Sequence, residues 1–184
     1  MNRPPRIIIV GAAGRLGQAL ENRFSKSAEV IGLSRGQIDI ASPRSIRSAL
    51  EPLDFDFLLL PAAMTAVDPC ETNQADAFAI NADGPKLIAE ICAAKGAHMT
   101  HVSTDFVFDG GKAGPYTEDD RPAPVSVYGA SKLKGEEHVL AASADRFAQV
   151  LRRLADVVAD LRFERIRVLR RAATHHRLGE LDLL

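Results

Sequence analysis

Near the N-terminus an apolar β-branched run, Ile7-Ile8-Ile9-Val10, stops at a turn rich in glycine, Gly11-Ala12-Ala13-Gly14-Arg15-Leu16-Gly17. Such a run, bounded by proline and glycine, suits a strand buried on both faces of a parallel sheet. Directly after the turn, Leu16, Ala19, Leu20 and Phe24 recur at helical spacing. Strand, tight turn and helix in immediate succession define a βα unit. A parallel sheet built from such units needs a right-handed crossover for every further strand.

The rest of the chain supplies those crossovers. Residues 29–33 read as a second strand, and Ser42-Pro43 as an N-cap with proline at the first helical position, opening a helix to Leu50. Residues 55–60 read as a third strand and 75–94 as a long helix with Gly84-Pro85 as its kink. Residues 97–102 read as a fourth strand and 127–142 as a further helix. Between them, residues 110–124 are rich in Gly, Pro and acidic side chains and read as a loop where an active-site flap could lie. Residues 1–145 are therefore expected to form one α/β domain with a doubly wound parallel sheet, layered α/β/α. Beyond about Asp145 the strand period disappears. Residues 146–184 read as an Arg-rich tail of one or two amphipathic helices.

Composition narrows the function. The 184 residues suffice for one domain with a sizeable core, and hardly for two. A net charge of −1 gives no basic excess of the kind nucleic-acid binding needs. No apolar run approaches membrane-spanning length, and Ile7 to Val10 is too short for a signal peptide. Cys70 and Cys92 are too few for a disulfide framework or a zinc ribbon, and read as buried thiols in a reducing compartment. A cytoplasmic protein is expected.

The glycine turn reads as a phosphate cradle. Gly11 makes the tight turn, Gly14 lets the backbone approach a pyrophosphate, and Gly17 lets the helix pack closely on the strand. The helix N-terminus, with Ala13, Arg15 and Leu16 around it, offers free N–H groups to an anion. A dinucleotide in a Rossmann-type fold follows from that context. At the end of the second strand an acidic residue would select NAD, but the chain has Ser34-Arg35. A hydroxyl and a guanidinium suit a 2′-phosphate, so NADP(H) is the expected preference, with NAD(H) as the lesser one.

Two later segments supply acid–base chemistry. Tyr128 and Lys132 lie four apart, a turn apart on one helix face. Tyr128 is the expected acid for a carbonyl oxygen while hydride reaches the carbon. A phenol is too weak an acid at its ordinary pKa, and burial alone weakens it further. An ammonium ~4–5 Å away at an effective dielectric of ~20 supplies about 4 kcal/mol, so Lys132 is expected to bring the phenol toward neutrality. The same ammonium is expected to hold the nicotinamide ribose. Thr104 at the end of the fourth strand would hydrogen-bond the same oxygen, with Ser103 as its rival. Asp105 would anchor the loop or touch substrate.

With these residues in order, the chain resembles the extended short-chain dehydrogenase/reductases, and within them the dTDP-4-dehydrorhamnose reductase branch. The matching text includes Gly11 to Gly17, Gln37 to Ile40, Pro61 to Asp68, Ala79 to Ala82, Ser103 to Gly110, Tyr116 to Asp120 and Val127 to Leu133. Ser103 to Gly110 is the most diagnostic, and the likeness covers roughly residues 6 to 145. The resemblance implies that Thr104, Tyr128 and Lys132 are the catalytic set. It implies that Asp39 and Ile40 flank the adenine and that Ala62, Ala63 and Thr65 line the cofactor groove. The implied reaction is reduction of a 4-keto sugar on a nucleotide carrier.

The chain departs from the family pattern in three places. Pro61 stands where the family has Asn, and Met64 where it often has Tyr; Pro61 removes both an amide and a backbone donor beside the cofactor. Arg15 occupies a region where some relatives carry a metal-binding carboxylate, so no metal is expected. Third, relatives continue with a sixth strand and a substrate lobe, of which residues 150–152 and 165–178 read as remnants. The tail then has three readings: a truncated C-terminus, a replacement helix over the sheet edge, or a basic arm. An uncovered edge makes a homodimer plausible. Glu136 and Glu137 are expected to face solvent, and Glu118-Asp119-Asp120 to be a solvated loop. Two other functions fit the same residues: a cofactor-binding protein without turnover, and a nucleotide-sugar epimerase or dehydratase that holds NAD tightly.

Overall fold

A computed structural model describes residues 3–117, 119–142 and, as backbone, 148–151. The strands are β1 (Arg6–Val10), β2 (Glu29–Leu33), β3 (Phe57–Leu60), β4 (His98–Val102) and β5 (Ala148–Leu151). The helices are α1 (Arg15–Phe24), α2 (Pro43–Leu50), α3 (Val67–Thr72), α4 (Gln74–Phe78), α5 (Gly84–Lys95) and α6 (Val127–Ala142). The five strands form one sheet in the order β2-β1-β3-β4-β5, every pair parallel.

β1 is an interior strand of the sheet, paired with β2 on one side and β3 on the other, and its run from Ile7 to Val10 is buried throughout. Ile8 and Ile9 are fully buried on opposite faces of the sheet, which requires cover on both sides. Each such side chain stabilises the fold by about 1.5–3 kcal/mol. On one face Ile8, Val10, Leu58, Leu60 and Met99 pack with Ile46 and Leu50 of α2, Ile88 and Cys92 of α5, and Val139 of α6. On the other face α1 packs against β1 and β2 through Leu20 and Phe24. The Ser42 side chain accepts from the Ser45 amide and Pro43 opens α2, as the sequence implies.

Three local features differ from the sequence reading. The expected single helix over 75–94 is broken by one π-helical turn, Ala79–Asp83, between α4 and α5. That turn ends at Asp83, just before Gly84-Pro85, and Pro85 has no N–H to donate back into it. α3 lies between the expected third strand and the expected helix over 75–94, where the sequence reading places no element. Residues 150–151, expected as a strand remnant, belong to β5 in register with β4. The remainder of the expected tail, including Arg165 to Leu178 and the His175-His176 pair, lies outside the described residues, as does Glu118.

The placement of α6 depends on a missing side chain. A Cβ on Gly135 would stand 2.1 Å from the carbonyl oxygen of Asn81 in the π turn. Alanine there gains about 1 kcal/mol in helix propensity but must push two backbones apart. Gly135→Ala is expected to destabilise the fold by about 2 kcal/mol net. Gly36→Ala, where a Cβ meets nothing within 4 Å, is expected to change stability by less than about 0.5 kcal/mol. Urea denaturation midpoints of the two variants check this.

Candidate active site

The sheet order places a crevice where the chain leaves β1 toward β2 on one side and β3 on the other. In open α/β sheets ligands bind beyond the carboxyl ends of the strands at such a switch point. A cleft of about 700 Å³ lies there. Its walls include Gly11, Ala13, Gly14, Arg15, Leu16, Gly17, Ser34, Arg35, Asp39, Ile40, Ala62, Ala63 and Thr65. Those are all the expected cofactor residues except Tyr128 and Lys132, which are not among its lining. Pro61 and Met64, the two departures from the family pattern on the cofactor side, line it as well, together with Val10, Ile38, Asp76 and Ile80, which the sequence did not point to.

The glycine turn has the shape an anion needs. Gly11 adopts φ +99°, and the amides of Gly11 and Ala12 both donate to the Leu33 carbonyl. The Ala62 amide donates to Val10, which brings Ala62 so close that a Cβ on Gly11 would lie 2.9 Å from its methyl. A Cβ on Gly17 would lie 2.2 Å from the Gly11 carbonyl oxygen, so α1 can start this close to β1 only with glycine there. The first intrahelical bond of α1 runs from Gln18 to Gly14. The amides of Arg15, Leu16 and Gly17 precede it, no side chain caps the helix, and no acidic residue sits in its first turn. Free N–H groups and an uncompensated dipole suit a pyrophosphate.

The groups expected around the adenosine are less free. Ser34 donates both its amide and its hydroxyl to the Gln37 side chain, at 2.9 and 2.8 Å. Asp39 accepts from the Ala41 amide. The exposed guanidiniums of Arg35 and Arg15 are the cations in the cleft lining.

At the end of β4 the chain separates Ser103 from Thr104. Ser103 donates to the carboxylate of Glu136, on α6. Thr104 is in hydrogen-bond contact with the Tyr128 phenol, and its hydroxyl also accepts from the Phe106 amide. Of the two rivals, Thr104 is therefore the hydroxyl beside the phenol. Asp105 accepts from Thr104 at 3.2 Å and starts the short helical turn Asp105–Val107. The Phe106 ring meets Tyr128 edge-on.

Lys132 is only 1% exposed. Its ammonium donates to the Val102 carbonyl at 2.7 Å and lies 3.2 Å from His101 Nε2. Burial pushes the amine down to about 8, with Glu136 opposing that fall. The expectation that Lys132 acidifies Tyr128 is not met here. Burial pushes the phenol above its ordinary value, the Thr104 hydrogen bond opposes, and Cys70 and Asp105 add to the rise. The amine is turned onto β4 instead.

Glu136 is a second correction. It is 2% exposed, facing β4 rather than solvent, whereas Glu137 is exposed, as expected, and also pairs with Lys134. Asp120 is also more than a solvated loop residue, since it takes Lys112 and the Thr117 amide. Buried Asn81 had been given no role. Its amide exchanges bonds with both the N–H and the C=O of Met64 and donates to Ser131, whose hydroxyl donates to the Tyr128 carbonyl. The loop after β3 and the first turn of α6 are thereby tied through one side chain. Cys70 and Cys92 are buried free thiols. Among the described residues no three His, Cys, Asp or Glu side chains converge as metal ligands, and no helix is long and apolar enough to cross a membrane.

A parallel sheet in this order, with a cleft at its switch point, is a Rossmann-type doubly wound fold. The chain belongs to the RmlD substrate binding domain family, which it matches over residues 5–179. It is 40% identical over 138 residues to a dTDP-4-dehydrorhamnose reductase of Sinorhizobium fredii, covering 75% of this chain and 47% of that protein. It is 37% identical over 187 residues to the enzyme of that name from Mycobacterium tuberculosis, covering 99% of this chain and 60% of that protein. The dTDP-4-dehydrorhamnose reductase of Bacillus anthracis, solved in complex with NADP, superposes with a TM-score of 0.78 at 29% identity, over 83% of this chain and 54% of that one. The chain thus spans about half the length of the curated relatives it matches.

The chain holds two tyrosines, Tyr116 and Tyr128, and no tryptophan, so its phenolate absorbance can be assigned directly. Thr104→Ala removes the bond that favours the phenolate, and Tyr128 is expected to ionise at higher pH than in the parent. Spectrophotometric titration near 295 nm, with Tyr128→Phe marking the affected transition, checks this; an unchanged midpoint contradicts the Thr104 contact.

Proposed function

We propose that this chain carries the dinucleotide site and the proton-donating groups of an NADP(H)-dependent reductase that acts on the 4-keto group of a nucleotide sugar, as dTDP-4-dehydrorhamnose reductases do. The observation that carries the reading is the cleft. Thirteen residues chosen for a dinucleotide line it together, beside a strand end where Thr104 meets a buried phenol.

The residues present fit the cofactor. Gly11 and Gly17 leave a cradle that a Cβ would fill, and the α1 amides face it. Arg35 and Arg15 would hold a 2′-phosphate, and Ile40, Ala62 and Ala63 offer flat apolar wall to an adenine. When bound, NADPH supplies hydride to the carbonyl carbon. Tyr128 gives its proton to the carbonyl oxygen, and Thr104 donates a second hydrogen bond to that oxygen. Burial keeps the phenol protonated at neutral pH, the state a proton donor needs. Lys132, with a pKa of about 8, is predominantly charged at pH 7 and is the group to hold the nicotinamide ribose. The reading assigns the protein to the cytoplasm, where its two buried thiols stay reduced.

NADPH is expected to bind at least tenfold tighter than NADH, about 1.4 kcal/mol or more, and Arg35→Ala to erase most of that difference. Fluorescence titration with both nucleotides measures it. Equal affinities in the parent chain contradict the assignment of Arg35. Tyr128→Phe is expected to lower kcat by about 10² or more while leaving NADPH affinity within about twofold, measured with a dTDP-4-keto-6-deoxyhexose as substrate.

A further inference from the structure

Beside Thr104, Tyr128 and Lys132 stand three polar side chains without a role so far: buried His101 and Glu136, and part-buried Ser103. His101 on β4 and Glu136 on α6 are almost wholly buried, at 0% and 2% exposed. Glu136 lies four residues beyond Lys132, so both project from the same face of α6 toward β4. The Ser103 hydroxyl donates to the Glu136 carboxylate and so holds it against the strand. Lys132 meets β4 two residues away, at His101 Nε2 and the Val102 carbonyl. β4 and α6 therefore sandwich one ammonium, one carboxylate and one imidazole.

The tautomer follows from those contacts. An ammonium has only donors, so His101 Nε2 must accept from it and the ring proton sits on Nδ1. Among the described residues Nδ1 finds no hydrogen-bond partner. Burial, and then Lys132, hold the imidazole well below its ordinary pKa, so it stays neutral wherever Lys132 is charged. Two of the three Lys132 donors are thus directed to β4. The charged or titratable groups bearing on Lys132 are Glu136 of its own helix and His101 of β4. Asn81 of the π turn and Ser131, packed beside this part of α6, are neutral, while Cys70 of α3 and Asp105 bear on Tyr128.

We propose that Glu136 is a positioning residue for Lys132: tethered by Ser103, its carboxylate keeps the buried amine charged, and His101 receives the amine's second donor so that the third is directed toward the cofactor side. The inference rests on the reading of Lys132 as the amine that holds the nicotinamide ribose. Without Glu136 the amine is left in an apolar sandwich with neutral neighbours, where the uncharged form is favoured. It would then cease to be a cation in the pH range where the reductase works.

The test observes the amine itself. The chain has six lysines, so the Cε signals of the full 184-residue protein, labelled with ¹³C-lysine, can be followed against pH, and Lys132→Arg identifies the Lys132 signal. In the parent it is expected to titrate near 8, apart from exposed lysines near 10.4. Glu136→Gln keeps the volume and the bond to Ser103 but removes the charge. It is expected to move the Lys132 midpoint down by about one unit or more, a tenfold or greater change in the ionisation constant. Glu136→Asp, which keeps the charge, is expected to restore most of it. Equal midpoints in parent and Glu136→Gln overturn the proposal. If Glu136→Gln does not fold, the parent still decides. The Glu136 carboxylate carbon, assigned with Glu136→Asp, must shift in step with Lys132 near pH 8, and a flat signal there overturns the proposal. NADPH titration of the same samples keeps the two readings apart. Loss of NADPH binding in the parent defeats the reductase reading, while the lysine titration still reports on Glu136.

Discussion

The backbone of α6 lies against two carbonyls with no space for a side chain between them. At Gly135 the neighbour is the Asn81 carbonyl, and at Gly129 a Cβ would stand 2.2 Å from the Phe106 carbonyl. These two approaches set the helix at both ends of its Tyr-Lys segment, one on the π turn and one on the turn after β4. Everything chemical in the site is measured from them. Tyr128 reaches Thr104 because Gly129 lets the helix sit on the Phe106 turn. Lys132 reaches β4 because Gly135 lets the next turn sit on Asn81. A helix displaced outward by one methyl group would hold the same side chains too far from the strand to act together.

Close packing has an electrostatic consequence. It removes water from Lys132, Glu136 and His101, and charges stripped of water cost free energy unless their neighbours replace it. The depressed pKa of Lys132 shows that the replacement is partial. With an ordinary value of 10.5 and a folded value of about 8, the unfolded chain binds more protons than the folded one between those limits. The contribution of Lys132 to folding therefore improves as pH rises from about 8 to 10.5, and its full penalty is present at pH 7. A group that only stabilised the fold would not be kept there. Residues that weaken the fold in this way cluster at functional sites.

The outer architecture was legible because β1 and β3 are short apolar runs, and because Ser42-Pro43 and the glycine turn carry their geometry in their residue types. The cleft was legible for the same reason, since Gly11, Gly17, Ser34-Arg35 and Ala62-Ala63 sit at strand ends that topology alone brings together. What the sequence hid lies one layer deeper. A π turn at residues 79–83 depends on how Asn81 is used, and its partner Met64 is 17 residues earlier. Glu136 reads as a surface residue beside Glu137, and only its spacing from Lys132 hinted at a shared face. The electrostatic role first given to Lys132 assumed that a neighbour on the helix must act on the phenol. The structure turns the amine onto a backbone carbonyl instead, and leaves Thr104 as the group that opposes the rise in the phenol's pKa.

That arrangement bears on the direction of the chemistry. A phenol brought near neutrality by an adjacent ammonium would be half ionised in the resting site and would serve oxidation and reduction alike. Here burial and the nearby acidic groups keep Tyr128 protonated, while Thr104 offers one bond to the oxygen that would carry charge once the proton has left. The resting site is thus charged with a proton to give. In the proposed reaction, transfer would become favourable only when a substrate oxygen gaining negative charge competes for that proton inside the same apolar enclosure. Lys132, fixed on the strand rather than on the phenol, keeps its charge from withdrawing the proton early. A phenol held in its protonated form is the state that the proposed carbonyl reduction requires of its proton donor.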